Sequence, residues 1–214
     1  MKQSSIQNII LDLGGVIVNL DPGRSLQAFS ELGYDRVNDH YSEQGQHEFF
    51  SMYETGKITS EVFIRTMQDA IPQGRVTEDE LVAAWNAMIL DLPSEHVPFL
   101  KDLGSKYRLF LLSNTNEIHI RFFYEAFERT FPGENFNNLF EQVFLSHRIG
   151  HRKPNADAFE YVLHTAGIQP SETLFIDDNA LNIAGASQLG INTWFFQRNS
   201  GLARQWNSFW DNQD

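Results

Sequence analysis

The sequence predicts an α/β fold: a Rossmann-like, doubly wound parallel sheet core with an inserted helical cap. Three observations predict it. Short, wholly apolar runs recur along the chain and end in polar groups, the pattern of strands buried on both faces of a parallel sheet. Helical periodicities lie between several of them, as in strand–helix–strand units. Residues 20–97 carry helical patterns without a convincing strand, too long a stretch for a simple crossover between two strands.

The elements follow in order. Ile9-Ile10-Leu11 is a short buried strand that ends at Asp12, with Gly14-Gly15 turning the chain before Val16-Ile17-Val18. Helical patterns are then expected at Ser25–Leu32, Gln44–Met52, Ser60–Ile71 and Glu78–Leu90, the last preceded by Thr77 and Glu80 at capping-box spacing. Arg108–Leu112 is a second strand that ends at Ser113-Asn114-Thr115. Gln142–Leu145 is a weaker third, Thr173–Ile176 a fourth ending at Asp177-Asp178, and Asn192–Phe196 a fifth. Between them Ala156–Ala166 stops at Gly167 and Ala180–Leu189 stops at Gly190, both glycine helix ends. In the tail, Trp206, Phe209 and Trp210 have i, i+3, i+4 spacing and suit a short helix with one aromatic face on the core. The expected domains are a core of residues 1–19 and 98–214 and a cap of residues 20–97.

Composition narrows the function. With 214 residues, 42% hydrophobic, the chain can bury a real core, and 18 phenylalanines make it unusually aromatic. The absence of cysteine excludes disulfides, thiolate chemistry and Cys-based zinc sites. A formal charge of −12 argues against general binding to nucleic acid or to an anionic membrane. Met1–Asn8 lacks the pattern of a signal peptide, and no apolar run approaches the ~20 residues of a membrane span. A soluble cytoplasmic protein is expected, with a small-molecule substrate as its partner.

The chemistry gathers at the strand ends. Asp12, Ser113-Asn114, Lys153 and Asp177-Asp178 each follow a strand, and in an open parallel sheet ligands bind at the carboxyl ends of strands. Taken singly, each has an ordinary reading: a loop cap, a turn, a surface lysine, a helix N-cap. Together they suit a phosphoryl centre. Mg²⁺ takes hard oxygens, commonly one or two carboxylates with substrate phosphate and water; Asp12, Asp178 and the Gly14 carbonyl are the expected ligands. A serine hydroxyl and backbone N–H groups after the second strand suit phosphate oxygens, and Lys153 suits the charge on nucleophile and phosphate. An aspartate nucleophile that passes through an aspartyl-phosphate is an established covalent strategy.

These residues resemble the four motifs of the haloacid dehalogenase-like superfamily over nearly the whole chain. Ile10-Leu11-Asp12-Leu13-Gly14-Gly15-Val16 resembles the first, Leu111-Leu112-Ser113-Asn114-Thr115 the second, Gly150-His151-Arg152-Lys153-Pro154 the third and Phe175-Ile176-Asp177-Asp178-Asn179 the fourth. The helical insertion sits where the family's C1-type cap sits, and Tyr53-Glu54-Thr55-Gly56-Lys57-Ile58 is similar to a segment common in that subfamily. The resemblance implies a phosphatase with Asp12 as nucleophile and metal ligand, Ser113 with Asn114 binding phosphate, Lys153 stabilising it, and Asp178 on Mg²⁺. It implies that Asp177 holds Lys153 or a metal-bound water.

One position departs from the family pattern. Two residues after the nucleophile, where the family carries an aspartate acting as general acid and base, stands Gly14. Losing such a group is worth roughly 10²–10⁴-fold in rate, a loss that accelerations of up to ~10²¹-fold for phosphate monoesters absorb. The Asp-Leu-Gly sequence is itself similar to that of sugar-1-phosphatase-like members, which implies activity. Either the substrate has a good leaving group, as an anomeric or acyl phosphate does, or Asp21, Asp177 or His119 stands in for the acid. His47, Phe49, Phe50, Tyr53, Arg121 and Phe122 are candidates for substrate contact, set against an ordinary role in packing. Two other functions are weighed: metal-free 2-haloacid dehalogenation with the same nucleophile, and a non-catalytic phospho-ligand-binding module in which Gly14 marks lost turnover.

Overall fold

The computed structural model describes residues 3–34, 48–71 and 76–211. Its strands are Asn8–Leu11 (β1), Arg108–Ser113 (β2), Gln142–Leu145 (β3), Thr173–Asp177 (β4) and Asn192–Phe195 (β5). Its helices are Pro22–Glu31 (α1), Glu48–Glu54 (α2), Ser60–Ala70 (α3), Glu78–Asn86 (α4), His96–Gly104 (α5), Glu117–Thr130 (α6), Ser146–Ile149 (α7), Ala156–Ala166 (α8), Ala180–Gln188 (α9) and Leu202–Asp211 (α10). Among the described residues the strands form one five-stranded sheet in the order β3-β2-β1-β4-β5, parallel throughout.

The apolar runs explain why both faces are covered. Along β1, Ile9 and Leu11 enter one buried cluster with Leu109, Leu111, Leu174 and Ile176, while Ile10 enters another with Phe110, Leu112 and Phe175. Side chains of a strand alternate between faces, so a strand apolar at every position needs a cover on each. Helices α5, α6 and α10 provide the first cover through Leu100, Phe123 and Trp206, and α8 and α9 the second through Phe159 and Ala186. The expected tail helix forms as α10, with Trp206 and Trp210 buried and Phe209 stacked 4.2 Å from Trp194.

Helices α1 to α4 pack chiefly on one another. Their cluster holds Phe29, Phe50, Tyr53, Phe63 and Trp85, with Ile118 of α6 joining from the sheet side. The rings lie close: Tyr53 and Phe63 stack at 4.3 Å, Phe50 and Trp85 at 5.5 Å. Phe50 and Tyr53 are thus packing residues, and half-buried Phe49 stacks on Phe63 at 5.4 Å. Two antiparallel crossing segments join this layer to the sheet. Leu20 bridges to Ile89, the Asp21 N–H donates to the Met88 carbonyl at 2.9 Å, and the Asn19 N–H to that of Asp91 at 3.0 Å.

Some element ends differ from expectation. Helix α1 starts at Pro22 because the Asp21 carboxylate accepts from the Gly23 N–H and proline is at home in the first turn. Helix α4 stops at Asn86, since the next residues turn to pair with 19–21. The Thr77–Glu80 capping box is present in full. Helices α5 and α6 were not expected from the sequence; α5 carries Pro98, which a helix tolerates only in its first turn. Residues 44–47, and with them His47, lie outside the described residues.

Candidate active site

With the order β3-β2-β1-β4-β5, the chain reverses its direction of travel across the sheet at β1. Open α/β sheets bind ligands at that switch point, beyond the carboxyl ends of the strands. Asp12 follows β1 and Asp177 ends β4, which pair directly: Leu11 lies opposite Ile176, and the Asp12 N–H donates to the Ile176 carbonyl at 3.0 Å. The topology therefore delivers the two carboxylates side by side.

Lys153 joins them. Its Nζ lies 2.7 Å from Asp12 Oδ1 and 2.7 Å from Asp177 Oδ2, with the lysine 1% exposed. Burial by itself lowers a lysine pKa, but the two carboxylates outweigh it and hold Lys153 above its ordinary value. The Phe175 ring lies beneath the ammonium, 5.4 Å away. Asn114 anchors the lysine's backbone from both sides. Its Nδ2 donates to the Lys153 carbonyl at 2.8 Å and its Oδ1 accepts from the Lys153 N–H at 2.9 Å. The Asn114 side chain is thus committed to placing Lys153. Ser113, buried at the end of β2, lines a cavity beside the loop after β1 together with Leu13 and Gly14.

The carboxylates differ in what they have left to give. Asp177 accepts four hydrogen bonds or more: from Lys153, from the Asn179 N–H at 2.8 Å and from Asn182 Nδ2 to both oxygens at 3.0 Å. Asp12 is pushed up to about 7 by burial, against the pull of Lys153 and with the help of Asp177 and Asp178. Burial likewise raises Asp178, opposed by Arg198, whose Nε lies 2.5 Å from its Oδ2. One ligand atom from each of Asp12, Asp177 and Asp178 lies within 4.8 Å of the others. Three carboxylates against two cations, Lys153 and Arg198, leave a buried excess of negative charge and hard oxygen donors. That donor set fits Mg²⁺. Asp12 and Asp178 have coordination capacity that Asp177, saturated by its own partners, lacks.

The other candidates lie elsewhere. Asp21 is the half-exposed N-cap of α1, also 3.7 Å from Arg24. His119 lines the cavity, stacked on Trp85 at 4.7 Å; its Nδ1–H donates to Asn86 Oδ1 at 2.9 Å and burial pushes its pKa down to about 3. Arg121 is exposed and Phe122 half-buried. Three participants were not anticipated. Asn182 lies one turn into α9 and reaches back to Asp177. Arg198 comes from the loop after β5, far from any motif, and only the fold brings it in. Leu20 covers position 14: a Cβ built on Gly14 would collide with Leu20 Cδ1. Gly15 is required for a second reason, since its φ is +77° and a Cβ there would run into Asp178 Oδ2.

A family model described as haloacid dehalogenase-like hydrolase matches residues 6–190. A D-ribitol-5-phosphate phosphatase of Bacteroides thetaiotaomicron is 31% identical over 196 residues, 92% of this chain and 93% of the relative. A family enzyme of the same organism, crystallised as an aspartate-to-alanine mutant with magnesium and inorganic phosphate, superposes with a TM-score of 0.87 at 31% identity, covering 94% of this chain and 98% of the other. A hydrolase of the family from Porphyromonas gingivalis gives a TM-score of 0.86 at 29% identity, covering 96% and 98%. Among the described residues no helix is long and apolar enough to cross a membrane.

Proposed function

The chain belongs to the haloacid dehalogenase-like hydrolases and is a phosphatase among them, and we propose that it removes phosphate from a small sugar or polyol phosphate through an aspartyl-phosphate at Asp12. The observation that carries the reading is the buried Asp12–Lys153–Asp177 bridge with Asp178 beside it. A structural ion pair needs one carboxylate per cation. Here a third is gathered at a strand end, where the excess negative charge is unfavourable until a cation arrives.

The Asp12 carboxylate attacks phosphorus in line, the bond to the leaving oxygen breaks, and the alcohol departs with a proton. Water then attacks the same phosphorus, releases phosphate and restores Asp12. Lys153 draws Asp12 toward its ionised form, against the effect of burial, and faces the phosphate oxygens, while Asp177 and the Asn114 side chain keep Lys153 in place. The Ser113 hydroxyl and the Asn114 backbone N–H hold the phosphate. Asp12, Asp178 and the Gly14 carbonyl would hold Mg²⁺, which would supply positive charge to neutralise the phosphate oxygens beside the nucleophile. We read residues 20–97 as the cap that shuts this site from water. With a glycine at position 14, water protonates the leaving oxygen, so turnover rises with leaving-group acidity.

The test is a phosphate-release screen over sugar, polyol and acyl phosphates and nucleotides with Mg²⁺. Turnover is expected in the wild type, lost in EDTA, restored by Mg²⁺ and absent in Asp12→Asn. Activity that survives in Asp12→Asn removes the covalent mechanism.

A further inference from the structure

Residues 196–201 join β5 to α10, and the fold pins them at both ends and in the middle. The Phe196 N–H donates to the Asp177 carbonyl at 2.9 Å, and the Leu202 N–H to His96 Nε2 at 3.0 Å. Between them the Asn199 N–H donates to the Gly15 carbonyl at 3.0 Å, while its side chain grips both polar groups of the Leu20 backbone, each at 2.9 Å. Asn199 takes φ +57° to do so, a left-handed conformation that asparagine tolerates better than most residues. A loop outside every motif is thus left little freedom.

That loop carries Arg198 onto Asp178. The Arg198 Nε–H meets Asp178 Oδ2 at 2.5 Å, and the aspartate side chain is only 7% exposed. A pair of exposed side chains would contribute little. Here the acceptor is buried past the end of β4, beside two other carboxylates. The bond engages Oδ2 and leaves Oδ1. Gly15 meets the pair from the other side: a Cβ there would strike Asp178 Oδ2 and press on Arg198 Cγ. The Gly15 N–H donates to the Val18 carbonyl at 2.6 Å and its carbonyl accepts from Asn199. The Gly14 carbonyl shares a planar peptide with that N–H, so its direction is set as well. Residues 198 and 199 therefore brace two of the three groups assigned to Mg²⁺ above.

We propose that Arg198 is a positioning residue of the metal centre: its Nε–H holds Asp178 by one oxygen and so presents the other to Mg²⁺. Hydrogen bonds to a ligating carboxylate set metal affinity in this way. A bare positive charge does the reverse, since it repels a cation that shares its carboxylate. The two roles carry opposite signs. The inference rests on the metal assignment given above and extends it to a residue outside the motifs.

Two neutral substitutions of equal length separate them. Arg198→Gln places an amide N–H where Nε stands, and Arg198→Met has the same reach with no donor. Both lack the charge and the terminal amino groups, so whatever else these touch is lost equally. The measurement is Mg²⁺ binding by titration calorimetry, below the melting range of each variant, with Tm taken in EDTA. Arg198→Met is expected to bind Mg²⁺ about 10- to 100-fold more weakly than Arg198→Gln. Its turnover of a polyol phosphate recovers in excess Mg²⁺, which a folding defect would not allow. Equal affinities in the two variants, or tighter binding by Arg198→Met, would overturn the proposal; charge alone makes both bind more tightly than the wild type, and equally. If Arg198→Met does not fold, Arg198→Asn, whose amide falls one carbon short of Asp178, replaces it with the same expectation. A wild type that binds Mg²⁺ while the variants agree with each other sinks this inference alone. One that binds no Mg²⁺ removes the metal assignment with it.

Discussion

At the scale of the residue, position 14 is where sequence and structure speak to each other most directly. The glycine reads as a missing acid, and the structure adds that its place has been filled. Leu20 reaches over from the crossing segment so closely that a Cβ at 14 would force its Cδ1 to move, and Asn199 holds the Leu20 backbone by both its N–H and its carbonyl at 2.9 Å. Restoring the aspartate is therefore a packing problem before it is a chemical one. Gly14→Asp is expected to destabilise the protein by about 1–3 kcal/mol, the usual range for overpacking, as a lower Tm. In a Leu20→Ala background that loss shrinks, and the double variant gains turnover of alkyl phosphates by up to about 10²-fold, the lower end of general acid catalysis. If Gly14→Asp alone melts with the wild type, Leu20 does not guard the position. The same scale shows what the motifs left open: Asn114 grips the Lys153 backbone, and Asp177 is saturated by Lys153, Asn179 and Asn182. Side-chain partners of this kind are set in three dimensions, where motif spacing is silent.

Between elements, the loop after β1 depends on a histidine from α5. His96 is 1% exposed; its Nδ1–H donates to the Ile17 carbonyl at 2.7 Å and its Nε2 accepts from the Leu202 N–H at 3.0 Å. Both partners fix the tautomer, and together they tie the loop after β1 to the first residue of α10. Replacing His96 by leucine strands a carbonyl and an N–H in the core, each worth about 1–3 kcal/mol. A Tm lower by roughly 5–15 °C is expected for a chain of this size, and an unchanged melt would show that the bridge contributes nothing. No spacing in the sequence announces this bridge, because His96, Ile17 and Leu202 come from three distant segments. The strands were legible for the opposite reason. Their apolar runs report a local fact, burial on both faces, that each segment carries by itself.

Taken as a whole, the molecule concentrates negative charge at one point of the sheet, and this ties its stability to pH and metal. Asp12 is held near 7 against an ordinary value of 3.8. The folded protein keeps that proton where the unfolded chain has lost it, so ionising Asp12 lowers stability progressively as pH rises from about 4 to about 7. A bound cation cancels the penalty. Mg²⁺ is therefore expected to raise Tm only slightly near pH 5 and substantially near pH 8. At one hundred times its Kd the gain is about 2.7 kcal/mol, or roughly 5–10 °C. Melting curves with Mg²⁺ or EDTA across that range decide it: a Tm indifferent to Mg²⁺ at pH 8 contradicts a metal centre at Asp12 and Asp178.

What the sequence determined by itself was the parallel α/β sheet with helices between β1 and β2, and the set of polar residues at the strand ends. Burial period and strand-end chemistry are written residue by residue along a chain. What only the tertiary structure decided is how those residues are used: β1 beside β4 so that one lysine serves two aspartates, Arg198 on Asp178, and Leu20 over Gly14. These are contacts between segments far apart in sequence. Their geometry depends on how the helical layer and the loops close over the sheet, which no local pattern encodes.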